Sequence, residues 1–384
     1  MSAAARPLIQ AAFCLGALGG CELPAQEVPG TAASVLSESQ WKQIGRSADR
    51  GLGWLKTQQH GDGSFPSVEY GQPGVTSLCL LAYGCHGHLP GQGQHGQAME
   101  RAIQYILDCQ KQSGLLARIA PDGPRLDRNV NHLVGSCSGY NHAISALSLS
   151  EFYGQVDGET NQQLHAAIEK AIKVTLEMQR WPKDRAEDKG GWRYLNDFDS
   201  DDSDVSITGW HLMFLRSAKN AGFEVPKESI DDAVAYIRRA YRPQSATFTY
   251  AHSPWYRRYF SRGVTGAGVL ALAHSGTHET PEGQKAGEWL LKNGFDRYNH
   301  RPDELERYHY GLLTCTQAMY QLGGRYWSEF YPPTVKTVVA NQRADGSWPR
   351  ESHRRDSVYG EAYTTAICLI TLGASNDLLP IFQR

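Results

Sequence analysis

The sequence lacks most of the short signatures that announce a chemistry. No P-loop, no HExxH, no nucleophile elbow and no dinucleotide fingerprint occurs in its 384 residues, so nothing points to P-loop phosphate binding, HExxH zinc proteases, nucleophile-elbow hydrolases or nicotinamide enzymes. There is no surplus of either charge. The formal net charge is −2, so nothing suggests the basic face that a nucleic acid demands. Eight cysteines are present, but no CxxC pair and no Cys/His spacing of a zinc finger. No cofactor and no metal is expected. Cys79 and Cys368 lie in apolar runs and read as small buried hydrophobes; export would permit disulfides, whose pairing spacing cannot give. Beyond the first residues no apolar run approaches the length of a membrane helix.

The N-terminus reads as an address. Arg6 precedes an apolar run from Leu8 to Gly20, too short to span a bilayer and suited to the core of an export signal. "LPAQ" (Leu23 to Gln26) offers ordinary cleavage after a small residue. "LGGC" (Leu18 to Cys21) is similar to a bacterial lipobox, in which Cys21 would carry lipid. The expected organisation is a signal over 1–25, a linker over 26–39, a folded body over 40–376 and a tail over 377–384. The chain is expected to be exported, to the periplasm or outside, and to be held at a membrane through Cys21 if that residue is lipidated.

What the chain has in quantity is repetition. "QQHGDGSF" (Gln58 to Phe65) returns as "NQRADGSW" (Asn341 to Trp348). Gln59, Gln110, Gln179 and Gln342 each close a stretch with helical apolar spacing, and two blurred copies fit between them. In the second copy Ala102, Ile103, Ile106 and Leu107 form one stripe. Each amphipathic copy is followed by a more apolar segment, such as "GVTSLCLLAYGCHG" or "EAYTTAICLITLGAS", which reads as a buried helix. Six such pairs predict an all-α fold, a single (α/α)6 toroid of six inner and six outer helices, with an open solenoid as the rival. In that frame the Gln–Gly–aromatic phrase is a joint. Glycine ends the helix, an aromatic wedges between pairs, and the glutamine amide ties backbone groups left unpaired at the turn. Pro332 and Pro333 are expected to open the last outer helix.

These joints resemble the QW repeats of the terpenoid-cyclase and protein-prenyltransferase superfamily, over roughly residues 40–376. "GGWRY" with "DVSITGWHLMFLRSAKNAG" looks like the prenyltransferase/squalene-oxidase repeat proteins. The resemblance implies the toroid. For activity it implies an acid at the head of an inner helix, kept protonated so that it can protonate an alkene. Asp199-Ser200-Asp201-Asp202 spells the squalene-cyclase motif DxDD. The register set by Trp210 places the motif instead at Asp201-Asp202-Ser203-Asp204, with Ser203 where the proton donor would stand. Asp201, Asp202 and Asp204 are the catalytic candidates. The competing reading makes Asp204 or Ser206 an N-cap and the other acids a solvated loop; an acid-rich cation loop is a further alternative. The chain has room for one toroid, where squalene cyclases use two. The zinc site of prenyltransferases is not matched: no Asp-Gly-Cys occurs, and Cys315 and His309 read as a core thiol and a helix-end histidine. The Gly-Cys-Gly-Glu-Gln of complement-type thioester domains is absent too.

In a toroid the inner-helix N-termini converge on one mouth, where their dipoles favour anions. Thr76, Asn141, His142, Asp204, Ser206, Thr265, Tyr310, Glu361 and Tyr363 stand at those expected starts. His142 with Glu361 or Asp204 would make an acid/base pair across the mouth. "SPWYRRYFSRG" (Ser253 to Gly263) interleaves arginines with aromatics, and Trp255 and Arg258 would grip an anionic or sugar-like ligand; aromatic packing with solvated arginines is the alternative. Three functions remain open. One is an exported protein that binds a ligand or protein partner in its central cavity. Another is an isoprenoid cyclase or transferase using the 199–204 acids. The third is a polysaccharide-active toroid. The ligand would be an apolar isoprenoid or a carbohydrate.

Overall fold

A computed structural model describes residues 35–195, 202–276 and 279–384. The expected export signal, the site Cys21, most of the linker, and Asp199 and Asp201 lie outside the described residues. Twelve α-helices alternate along them, and the strands among them are a two-residue pair, Tyr241–Arg242 with Thr247–Phe248. The outer helices are α1 (Glu38–Gln58), α3 (Gly96–Asp108), α5 (Gly158–Gln179), α7 (Lys227–Arg239), α9 (Pro281–Lys292) and α11 (Gly324–Ala340). The inner ones are α2 (Gly74–Cys85), α4 (His132–Phe152), α6 (Val205–Asn220), α8 (Arg262–His274), α10 (Tyr308–Leu322) and α12 (Gly360–Leu372). Each inner helix packs on the next, and α12 packs back on α2, so the ring closes. Inner helices are apolar because neighbours cover them on every side; all residues of α2 are buried.

The joints explain the repeated phrase. Gln59 Nε2 donates to Gly63 O at 3.0 Å and to Ala98 O of the next outer helix at 2.8 Å. Gln110 does the same to Gly114 O and Ala167 O, Gln179 to Gly190 O and Ser229 O, and Gln342 to Gly346 O and Ser47 O. One amide thus ties its own turn and the following repeat. The glycines take φ near +90°, and a Cβ on Gly346 would stand 2.5 Å from Arg50 O, so only glycine fits both the turn and the close approach. The residue two after each glycine is fully buried: Phe65, Leu116, Trp192 and Trp348. Its N–H is held by the inner helix, through Thr76, His142, Thr208 or Thr365.

Two boundaries differ from expectation. Helix α11 begins at Gly324 and carries Pro332 and Pro333 inside it. Trp327 in its first turn stacks on Tyr331 at 3.9 Å, so the turn before the prolines is anchored by a buried aromatic pair. Helix α4 begins at His132 rather than near Tyr140, capped by Asn131. The six cysteines within the described residues are buried and unpaired. The last residues lie across the end of the ring opposite the mouth. Ile381 N donates to Glu151 at 3.2 Å, Gln321 Nε2 to Phe382 O at 3.1 Å, and Tyr320 to Asp377 at 2.6 Å. No described helix is long and apolar enough to cross a membrane.

Candidate functional site

The inner-helix N-termini do converge on one mouth. Ser206, Trp210, Met213, Leu270 and Tyr310, from α6, α8 and α10, border a partly open space of about 10 Å³, room for about one water.

Asp204 stands at this mouth, wholly buried, as the N-cap of α6. Its Oδ1 accepts the Ile207 N–H at 2.9 Å. Its Oδ2 pairs with Arg193 and accepts the Tyr250 hydroxyl at 3.1 Å. Burial pushes the carboxyl up from the usual range, and Arg193, the Ile207 amide and Tyr250 pull it back. Donors on both oxygens favour the carboxylate over the acid, so Asp204 is built to accept protons in hydrogen bonds rather than to deliver one. Arg193 also donates to Tyr250 Oη at 2.8 Å and lies over the Tyr194 ring at 4.0 Å. Tyr194 and Tyr250 share a hydroxyl contact of 2.7 Å, as do Tyr140 and Ser206. Tyr310 turns its hydroxyl toward Ser206.

The other described residues of the acidic run, Asp202 and Ser203, face elsewhere. Asp202 accepts the Asp184 N–H at 2.7 Å, and its carbonyl accepts from Lys183 at 2.7 Å. Ser203 donates to Asp188 O at 2.7 Å. These residues pin the 183–189 insertion. Asp202 and Asp204 are therefore not brought together over a cavity, and Asp201 lies outside the described residues.

His142 is not at the mouth. Because α4 starts at His132, His142 falls within its length and is wholly buried. Its Nδ1 accepts the Leu116 N–H at 3.2 Å, which puts the ring proton on Nε2, near Ala171 O and Thr175. Burial pushes its pKa down to about 4. It does in its repeat what Thr76, Thr208 and Thr365 do in theirs. Glu361 sits in the first turn of α12, ion-paired to Arg343 at 3.1 Å and Arg350 at 3.4 Å. The expected His142–Glu361 and His142–Asp204 pairs are not formed. Tyr363 is half-buried at the mouth, its ring 5.6 Å from Tyr359. Trp255 is 47% exposed, and Arg258 lies over the Trp255 and Tyr259 rings, each at 5.5 Å.

Sequence reasoning missed Arg193, Tyr194, Tyr250 and Tyr140. The available signal was Arg193 itself: an arginine directly after the buried Trp192 of a joint needs a buried acid. It also missed the Arg307–Asp356 pair at 3.3 Å, which joins the loops before α10 and α12. His309 is indeed buried, but Glu351 holds its Nδ1 at 2.9 Å and Tyr298 its Nε2 at 2.9 Å. Among the described residues no cluster of three His, Cys, Asp or Glu is placed to hold a metal.

No family model matches the chain, and no curated protein matches it. Solved structures do. The type II terpene cyclase MstE from Scytonema matches with a TM-score of 0.53 and 14% identity, over 88% of this chain and 100% of that one. A wild-type glycosidase matches with a TM-score of 0.59 and 11% identity, over 90% of this chain and 100% of that one. A variant glycosidase in complex with glucose matches with a TM-score of 0.56 and 11% identity, again over 90% and 100%. At such identities the likeness is one of fold. The chain has an all-α toroid fold, the architecture of a type II terpene cyclase and of glycosidases alike.

Proposed function

We propose that the chain is an exported toroid that binds a carbohydrate at its tyrosine-lined mouth, without cyclase chemistry. The observation that carries this reading is the state of Asp204. Both its oxygens are committed to donors. A carboxyl with both oxygens held by donors is poorly suited to hand a proton to a polyene. What the mouth does offer is aromatic faces with hydroxyl edges: Tyr140, Tyr194, Tyr250, Tyr310 and Tyr363. That combination suits a sugar ring, with its apolar face and its ring of hydroxyls. A structural neighbour binds glucose, which fits. The Leu8–Gly20 run supports export, and Cys21 an anchor.

The test offers the purified chain a neutral cello-hexaose, a hexamer of galacturonic acid, and geranylgeraniol, with calorimetry for binding and product analysis for turnover. Binding of either sugar, weakened about tenfold by joint Tyr140→Phe and Tyr310→Phe changes, is expected, with no new reducing ends. Geranylgeraniol converted to a cyclic product, or neither sugar bound, overturns the reading.

A further inference from the structure

Carbohydrate binding at the mouth leaves one exposed feature unused, the loop that leads out from it. Among the described residues, the exposed large apolar side chains include two aromatic ones, Trp255 and Phe260, and both are in this loop. Trp255 stands edge to face with Tyr256 at 4.7 Å, and Tyr256 lies 4.8 Å from Tyr250. Tyr250 touches Tyr194 through their hydroxyls, and Tyr194 lies 6.2 Å from Tyr140. The rings form an unbroken track from solvent to the centre of the mouth. Exposing a tryptophan costs apolar burial, so a surface that keeps one at the end of such a track is a candidate for contact.

The loop's own charge has one sign. Residues 242–263 contain Arg242, Arg257, Arg258 and Arg262 and no Asp or Glu. Arg262 is spent on buried Glu306 at 3.1 Å. Arg242 lies over the Phe260 ring at 5.1 Å. Arg258 is exposed, and its Nε donates to Trp255 O at 3.2 Å, fixing its guanidinium beside the indole. Asp303, from the loop before α10, is engaged with the Phe260 N–H at 3.4 Å.

We propose that this loop is an outer subsite for an anionic oligosaccharide, in which Trp255 stacks on a sugar ring and Arg258 pairs with a carboxylate of the same unit. The proposal rests on the reading of the mouth as a carbohydrate site and extends it from one sugar to several. Three ring-to-ring steps separate Trp255 from Tyr194, further than a single pyranose reaches. The planar guanidinium suits a uronate carboxylate, which it can meet with two parallel hydrogen bonds. The hydroxyl-rich mouth favours a glycan over a nucleic acid strand, although arginines and aromatics are common to sites for both.

The experiment compares the galacturonate hexamer, the cello-hexaose and a single-stranded DNA hexamer on the intact chain. The uronate hexamer is expected to bind more tightly than the neutral one. Trp255→Ala should weaken both sugars about tenfold. Arg258→Ala should weaken the uronate alone, about tenfold, and flatten its salt dependence. Both side chains are exposed, so melting should not move, and a shifted melting curve would be checked with Trp255→Phe and Arg258→Lys. Equal binding of the two sugars, unchanged by Trp255→Ala and Arg258→Ala but weakened by the Tyr140 and Tyr310 changes, overturns the outer subsite and leaves the mouth reading standing. Failure of both sugars to bind overturns both. DNA binding as tight as uronate, and lost in the same variants, overturns the glycan assignment.

Discussion

Gln342 donates its side-chain amide to the carbonyl of Ser47, 295 residues earlier in the chain, at 2.8 Å. Gln59, Gln110 and Gln179 make the same bond to the next outer helix. At Gln342 the next outer helix is the first one, so a local staple becomes the ring's clasp. Gln342 Oε1 also accepts from Ser47 Oγ at 2.7 Å. Replacing Gln342 by Ala should cost about 1–3 kcal/mol, since buried donors and acceptors lose their partners. Urea unfolding measures this, and a midpoint equal to wild type would show that the clasp adds nothing.

Gly346→Ala should be worse than an exposed glycine change. The position has φ of +97°, and a Cβ would meet Arg50 O at 2.5 Å. Strain and displacement together are expected to cost about 2 kcal/mol or more. Gly45, where a Cβ meets nothing within 4 Å in the middle of α1, is the control, and Ala there should stabilise by up to about 1 kcal/mol. Equal melting of the two variants would contradict the close approach.

Asp204→Ala removes the cap of α6 and leaves Arg193 buried with its carboxylate gone. A loss of about 3–5 kcal/mol is expected. The joint change of Asp204 to Asn and Arg193 to Met should recover much of it. If Asp204→Ala melts with wild type while an activity disappears, the residue is catalytic rather than structural.

Glu151 gives a pH dependence. Burial pushes its carboxyl up to about 7, with Ser217 and the Ile381 amide pulling it back. The folded state therefore holds this proton more tightly than the unfolded chain does. Its contribution is full below the unfolded value, near 4.5, and is lost as pH rises through about 7. The span corresponds to roughly 3 kcal/mol as an upper figure. Stability measured at pH 5.5 and 8 should fall, and Glu151→Gln should flatten the fall.

Glu351 works in the other direction. Burial opposes its charge, but hydrogen bonds and the charge of His309 hold its pKa down to about 2. Its contribution is present above the unfolded value and lost as pH falls toward 2. Glu351→Gln should blunt acid unfolding below pH 4.5, as followed by circular dichroism. An unchanged acid limb would place the sensitive group elsewhere.

The toroid was legible because its joints use residues that few other jobs require. Gln, Gly at positive φ and a buried aromatic recur at fixed spacing around Gln59 and Gln342, and helical periodicity fills the intervals. The start of α4 was not legible. "HLVGSCSG" carries small polar residues and no apolar stripe, so nothing distinguishes it from the loop before it, and Tyr140 passed for a helix head. His142 stands level with Thr76 and Thr208 but packs outward on α5, against Ala171 and Thr175, rather than opening onto the mouth. The Arg193–Asp204–Tyr250 cluster was hidden for another reason. Its members come from a joint, a cap and a loop, and only the closed ring brings them together. The staple's second bond, to the neighbouring repeat, is likewise a property of the assembled ring.

The closing of α12 on α2 has a mechanical corollary. A row of stacked repeats melts from its free ends, one unit after another. Among the described residues the ring leaves no terminal unit at which such fraying could begin. Its denaturation should be a single steep event, and a cut placed in any one connection should weaken all six pairs together.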